Sequence, residues 1–252
     1  MKCDIFIPIR LGNSRLPGKA LKECKGKPLI FFLLERLRKC KKIRNLVICT
    51  TTNKTDDVLV NVLLKNNIKY FRGSEIDILQ RFYDASKFYK PDFIVNVDGD
   101  DIYTDPELID KLIMQYEKTN PDVIDMKGFP FGFRSVGFTP DSLSKICSIK
   151  KTNITDTHYR AFLTELNLFN LEFFENVEII NFNKELRFTL DYPEDLKFAQ
   201  LIFKNLGNDF NLSKLINFCE ENNDFIDITK DLDKKWKVHY DDANTNFSTK
   251  LN

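Results

Sequence analysis

The sequence predicts an α/β fold with a mainly parallel sheet covered by helices on both faces. Two observations predict it. Short apolar, β-branched runs alternate with helical ones from the amino end, the pattern of βαβ units. Later segments carry proline and glycine where helices start and stop. At 252 residues the chain can bury a proper core, and with roughly 150 residues per domain as a soft prior, one domain over 1–252 is preferred to two small ones.

The elements follow in order. "CDIFIPI" at 3–9 reads as the first strand. In 28–40 the apolar Ile30, Leu33, Leu34 and Leu37 mark one buried helix face, and the run is too short to cross a bilayer and breaks at Glu35. Next come a strand "LVICTT", a helix from Asp56, a strand "KYF", a helix near 75–89 and a strand "FIVNVD". A helix from Thr104 or Asp105 has Pro106 in its first turn; another from Tyr192 has Pro193 there and Gly207 after its end. Between them, "MKGFPFGFRSVGFTPDSL" at 126–143 is rich in Gly, Phe and Pro and has no clean period, so it is expected to be a loop or short ribbon leaving the main sheet. The region 126–170 is the expected acceptor or dimer subregion. Residues 186–190 are expected to form a strand of the same sheet, and the polar end 243–252 to be frayed.

Lys and Arg total 38 against 37 Asp and Glu, which leaves no global field to hold nucleic acid or an anionic membrane. The six cysteines are scattered, without a CxxC pair. Neither a zinc site nor a disulfide framework is indicated, and with no secretory segment evident a cytoplasmic location is expected.

Three segments carry the chemistry. In open α/β sheets ligands bind at the carboxyl ends of strands, and the loop after the first strand holds Arg10, Gly12, Ser14, Arg15, Gly18 and Lys19. Glycine lets backbone N–H groups approach an anion, arginine offers a planar fork and lysine a mobile charge. The order is that of neither a P-loop nor a dinucleotide fingerprint. The alternative is a solvated basic loop. In "FIVNVDGDDIYTDPEL", a buried-looking strand runs into Asp98, Asp100 and Asp101. Crowded carboxylates repel unless a cation sits among them, and magnesium, which shares its shell between one or two carboxylates and substrate phosphates, suits them. An Asx-type turn is the plain alternative. In "LRFTLDYPEDL", Asp191 precedes the helix started by Pro193; it either completes a metal site with Asp100 or caps that helix.

Taken together, "IPIRLGNSRLPGKAL", "GKPLI", "LLERL", "RGSEIDILQRF", "NVDGDD" and "TLDYPEDL" resemble the cytidylyltransferases that activate acidic sugars, the CMP-KDO synthetases and the spore-coat-polysaccharide group. The resemblance covers 1–110 and 185–205 best. It implies a Rossmann-like fold similar to nucleotide-diphospho-sugar transferases, and the use of CTP and magnesium to make a CMP-linked product and pyrophosphate. It also implies a homodimer. By the same resemblance Arg10, Ser14, Arg15 and Lys19 serve the nucleotide and Asp100 and Asp191 hold the metal; Gly12 of the loop and Asp98 of the strand end are assigned to the nucleotide beside them, and Arg10, Arg15, Lys19 and Asp100 are expected to carry the reaction. Arg72, Ser74, Asp77 and Arg81 fall near the nucleotide or the acceptor, Arg81 being assigned to the acceptor. "VDGDD" stands where the CMP-KDO group has a glutamine and a Glu-Pro pair, which opens the acceptor's identity. Arg134, His158 and Arg160 are the candidates to hold its carboxylate, phosphate or phosphonate, against the reading of His158 as a packing residue and Arg160 as a surface one. The rival functions are transfer from another nucleoside triphosphate to a sugar phosphate, metal-dependent glycosyl transfer, and nucleotide binding without catalysis.

Overall fold

The computed structural model describes residues 1–156, 158–175, 182–183 and 185–244. The chain runs β1 (Cys3–Pro8), a 3-10 turn (Lys19–Leu21), a small hairpin of β2 (Glu23–Cys24) and β3 (Lys27–Pro28), α1 (Leu29–Leu37), β4 (Asn45–Thr51), a second 3-10 turn (Lys54–Asp56), α2 (Asp57–Lys65), β5 (Lys69–Gly73), α3 (Ile78–Tyr89), β6 (Phe93–Asn96) and α4 (Pro106–Thr119). It continues through β7 (Val123–Lys127), β8 (Val136–Phe138), α5 (Pro140–Ile149), α6 (Tyr159–Thr164), β9 (Leu171–Glu175), α7 (Pro193–Leu206), α8 (Leu212–Glu221), α9 (Asn223–Thr229) and α10 (Leu232–Asn244).

Seven strands form one sheet in the order β5-β4-β1-β6-β8-β7-β9. All neighbours pair parallel except β8, which is antiparallel to both β6 and β7. Side chains alternate across a strand, and β1 shows the result: Cys3, Ile5 and Ile7 enter one core while Phe6 enters the other. The first core is closed by α1, α2, α4, α7 and α8, the second by α3, α5 and α6. Caps fix the helix starts. Asp105 accepts from the Glu107 amide ahead of Pro106, and Asp77 accepts from the Gln80 amide at α3.

Two expectations are corrected. Residues 126–143 do not leave the sheet: the segment ends β7, turns at 128–135 and returns as β8 inside the sheet. Residues 186–190 form no strand of it. They lie against that turn through a single bridge, Phe131 to Arg187, because Pro130 and Gly132 give the turn no regular ladder to extend. Residues 243 and 244, at the start of the segment expected to fray, close α10; the rest of that segment lies outside the described residues. No helix among those described is long and apolar enough to cross a membrane.

Candidate active site

β1, β4 and β6 end side by side, and the loops that leave them build the site. The first loop is anchored from below: the Leu11 amide donates to Asp56 Oδ1 at 2.7 Å, and the buried Asp56 also accepts from the hydroxyls of Thr50 and Thr51 at the end of β4. The Gly18 amide closes the loop onto Leu11 O at 3.1 Å. Beyond β6, Gly99 lets the acidic turn lie directly on the end of β1. A Cβ there would come within 2.4 Å of Ile9 Cγ1 and 2.9 Å of Pro8 O, so a side chain is sterically excluded.

The third segment is held by its own motif. Asp195 Oδ2 accepts from the amides of Asp191 and Tyr192 at 2.8 and 2.9 Å, which fixes the turn before Pro193. Arg187, whose side chain is fully buried, bonds Asp191 Oδ2 at 2.9 Å, Asp195 Oδ1 at 3.1 Å and Asp233 Oδ1 at 2.7 Å. Asp191 is thus aimed toward the loop without belonging to a strand.

These constraints bring the distant residues together. Lys19 Nζ lies 2.5 Å from Asp100 Oδ2 and 3.0 Å from Asp191 Oδ1, and Arg15 Nη2 lies 2.8 Å from the same Asp191 oxygen. Burial opposes the Lys19 ammonium, but Asp100 and Asp191 outweigh it and raise its pKa above the ordinary lysine value. Burial likewise opposes the Asp191 carboxylate, and Lys19 and Arg15 overcome it, holding the group far below the usual range. The neighbouring acids behave oppositely. Burial and then the charge of Asp100 push Asp98 up to about 6, despite bonds from Tyr159 and Asn96, and raise Asp101 well above the ordinary value. Burial first, and the crowding of carboxylates second, thus oppose ionisation at this strand end.

The residues line two adjoining clefts. One, of about 320 Å³, is walled by Arg10, Asn13, Arg15, Lys19, Arg81, Asp98, Asp100 and Asp191 among others. The second, of about 270 Å³, shares Arg15, Asp98, Asp100, Asp191 and Trp236 with the first and adds Arg134, His158, Arg160 and Phe131. Arg10 pairs with Asp156 at 2.5 Å. Arg134 and Arg160 both pair with Asp125, Arg134 at 3.8 Å. His158 begins α6 with φ 67°.

Other residues singled out from the sequence stand apart. Gly12, Ser14, Arg72, Ser74 and Asp77 line neither cleft. Arg72 spans the carbonyls of Thr51 and Asn53 and pairs with Asp57; Asp77 caps α3 and pairs with Lys150. Arg81 lines the first cleft rather than the second, with its guanidinium on the carbonyls of Ser74, Cys49 and Glu75. The structure adds Asp156, Tyr159 and Trp236, which the sequence reading did not single out. Tyr159 donates to Asp98 Oδ1 at 2.5 Å, a contact that no spacing pattern announces. Trp236 is the chain's only tryptophan, and that rarity is the signal available for it.

Among the described residues, no three or more His, Cys, Asp or Glu gather as a metal cage. Asp100 and Asp191, however, are close enough for one ammonium nitrogen to touch both. Their hard oxygens, beside the further carboxyl groups of Asp98 and Asp101, fit a divalent cation that completes its shell with phosphate oxygens.

Comparison with known proteins places this geometry in context. The family described as cytidylyltransferase matches residues 5–233. The chain is 33% identical over 237 residues to an uncharacterized protein of Methanocaldococcus jannaschii, covering 93% of this chain and 97% of the other. It is 29% identical to the spore coat polysaccharide biosynthesis protein SpsF of Bacillus subtilis, covering 87% and 94%. A 3-deoxy-manno-octulosonate cytidylyltransferase of Chlorobium chlorochromatii is 29% identical over 52% of each chain. Among solved structures, a cytidylyltransferase from Leptospira borgpetersenii superposes with a TM-score of 0.80 at 29% identity, covering 90% of this chain and 97% of that one.

Proposed function

Because the chain belongs to the cytidylyltransferase family, we propose that it transfers CMP from CTP to an acidic small molecule, a sugar acid similar to 3-deoxy-manno-octulosonate, with release of pyrophosphate. The observation that carries this reading is the meeting of Arg15 and Lys19 with Asp100 and Asp191 around one ammonium nitrogen. Such a centre suits two anions that must react at one phosphorus. Unit charges about 4 Å apart repel by roughly 1 kcal/mol in water and about 4 kcal/mol at an effective dielectric near 20, so cations must stand beside them.

In this mechanism Arg10, Arg15 and Lys19 receive the triphosphate in the first cleft, and Arg134 and Arg160 meet the acid group in the second. An acceptor oxygen attacks the α-phosphorus in line; the bond from that phosphorus to the bridging oxygen breaks, and pyrophosphate leaves. Asp98, which lines both clefts, takes the hydroxyl proton. Magnesium held by Asp100 and Asp191 supplies charge neutralisation on the phosphates when bound. Positioning and fixed charge provide the rate, and no covalent nucleophile is needed. The same reading includes a homodimer.

The test incubates the protein with magnesium and each of the four common nucleoside triphosphates, against a panel of sugar acids, phosphonates and sugar phosphates, and follows pyrophosphate. Release with CTP and a sugar acid is expected. Release only with another nucleotide and a sugar phosphate, or none with any pair, contradicts the reading.

A further inference from the structure

The second cleft is walled on one side by α10, of which the family match reaches only the first two residues. That match ends at residue 233, and α10 carries Trp236 beyond it into the lining of both clefts. Two contacts hold the helix there, and a third backs them. Asp233 pairs with the buried Arg187 at 2.7 Å, the same arginine that holds Asp191. The Trp236 ring meets Phe131 edge to face, with centroids 4.8 Å apart. The Arg187 guanidinium in turn lies over the Phe131 ring, 4.8 Å from its centre. Phe131 lines the second cleft and not the first, while Trp236 lines both, so it is in the second cleft, on the acceptor's side, that the two rings present one wall.

This wall differs in chemistry from the rest of the cleft, whose other lining residues are mostly charged or hydroxylated. An acid small enough to be met by Arg134 and Arg160 alone has no use for it. A ring with a C–H face does, since the electron-rich face of an aromatic side chain attracts the slightly positive hydrogens of such a face and buries them from water.

Resting on the cytidylyl transfer reading, we propose that Trp236, with Phe131 behind it, is a specificity-determining residue that packs against the C–H face of a cyclic sugar acid. The wall selects a ring-bearing acid over a small phosphate or phosphonate.

The single tryptophan makes the test direct, because its emission comes from this position alone. The intact protein and its Asp100→Asn variant are titrated with 3-deoxy-manno-octulosonate, its 8-amino-8-deoxy analogue and glucuronate, and separately with methylphosphonate. A saturable change in emission with at least one sugar acid, and none with methylphosphonate, is expected. In steady-state assays Trp236→Leu should raise the acceptor KM tenfold or more and the CTP KM less than threefold, and Trp236→Phe should restore most of the loss. Emission unmoved by every sugar acid, an equal response to methylphosphonate, or equal rises in both KM values overturns the proposal. Emission that responds while no pyrophosphate is ever released keeps the wall and removes the transfer reaction. Pyrophosphate release with a sugar acid and silent emission does the reverse.

Discussion

Lys19 sets the charge balance of the cleft floor, because it is the cation that Asp100 and Asp191 share. Replacing Asp100 by Asn keeps the shape and removes one of these charges. Turnover should fall about 10³-fold or more, comparable to losing a major electrostatic contact in the transition state. The fold should still melt cooperatively and within a few degrees of the parent, because the change also removes the Asp100 charge that, after burial, raises Asp98 and Asp101. Initial rates and a thermal melt read both; an active Asn variant refutes the role given to Asp100. Arg187 is the opposite kind of residue. Its fully buried guanidinium satisfies three carboxylates, and Arg187→Met strips that partner from Asp195 and Asp233 and leaves Asp191 with Lys19 and Arg15 alone, a loss that costs about 3–5 kcal/mol when a buried pair is broken. Urea unfolding measures it, and a cost below about 1 kcal/mol contradicts the clamp. The residue types that meet in the cleft were legible in the sequence wherever charge gathered beside glycine or at a strand end, as at Arg15, Lys19 and Asp100. Asp156 and Tyr159 were not, because each acts through partners far away in sequence, Arg10 and Arg81 for the one and Asn96 and Asp98 for the other, and nothing local marks such a pairing.

At the scale of elements, legibility followed period and capping. β1, α1, β4 and β6 carry continuous apolar runs or one apolar face, and α4 and α7 begin at Pro106 and Pro193. β8 has three residues, Val136–Phe138, too few to show alternation, so its insertion into the sheet had to be seen. α10 is largely polar, with Leu232 its well-buried apolar residue, and it offers no stripe to read. The turn between β7 and β8 makes one sharp demand. Gly132 has φ +92°, and a Cβ would fall 2.0 Å from Phe188 O, so Gly132→Ala must push the turn off the segment that delivers Asp191. The expected cost is about 3 kcal/mol or more, from backbone strain joined to overpacking. Urea denaturation with an activity assay on the folded fraction checks it; a variant as stable and active as the parent shows that the close approach is not needed.

For the whole molecule, near-zero net charge and a strongly charged cleft go together. The chain carries formal +1, so attraction for a triphosphate is local and depends on how the loop cations and the two aspartates divide the work. Asp100 and Asp191 occupy Lys19 and Arg15; in the proposed mechanism they repel an incoming polyphosphate without a divalent ion and attract it with one. Calorimetric titration of CTP, with and without magnesium, into the parent protein and into an Asp100→Asn, Asp191→Asn double variant tests this most directly. The account predicts that magnesium tightens CTP binding to the parent by tenfold or more and that the gain vanishes in the double variant. An equal gain in both proteins would contradict it.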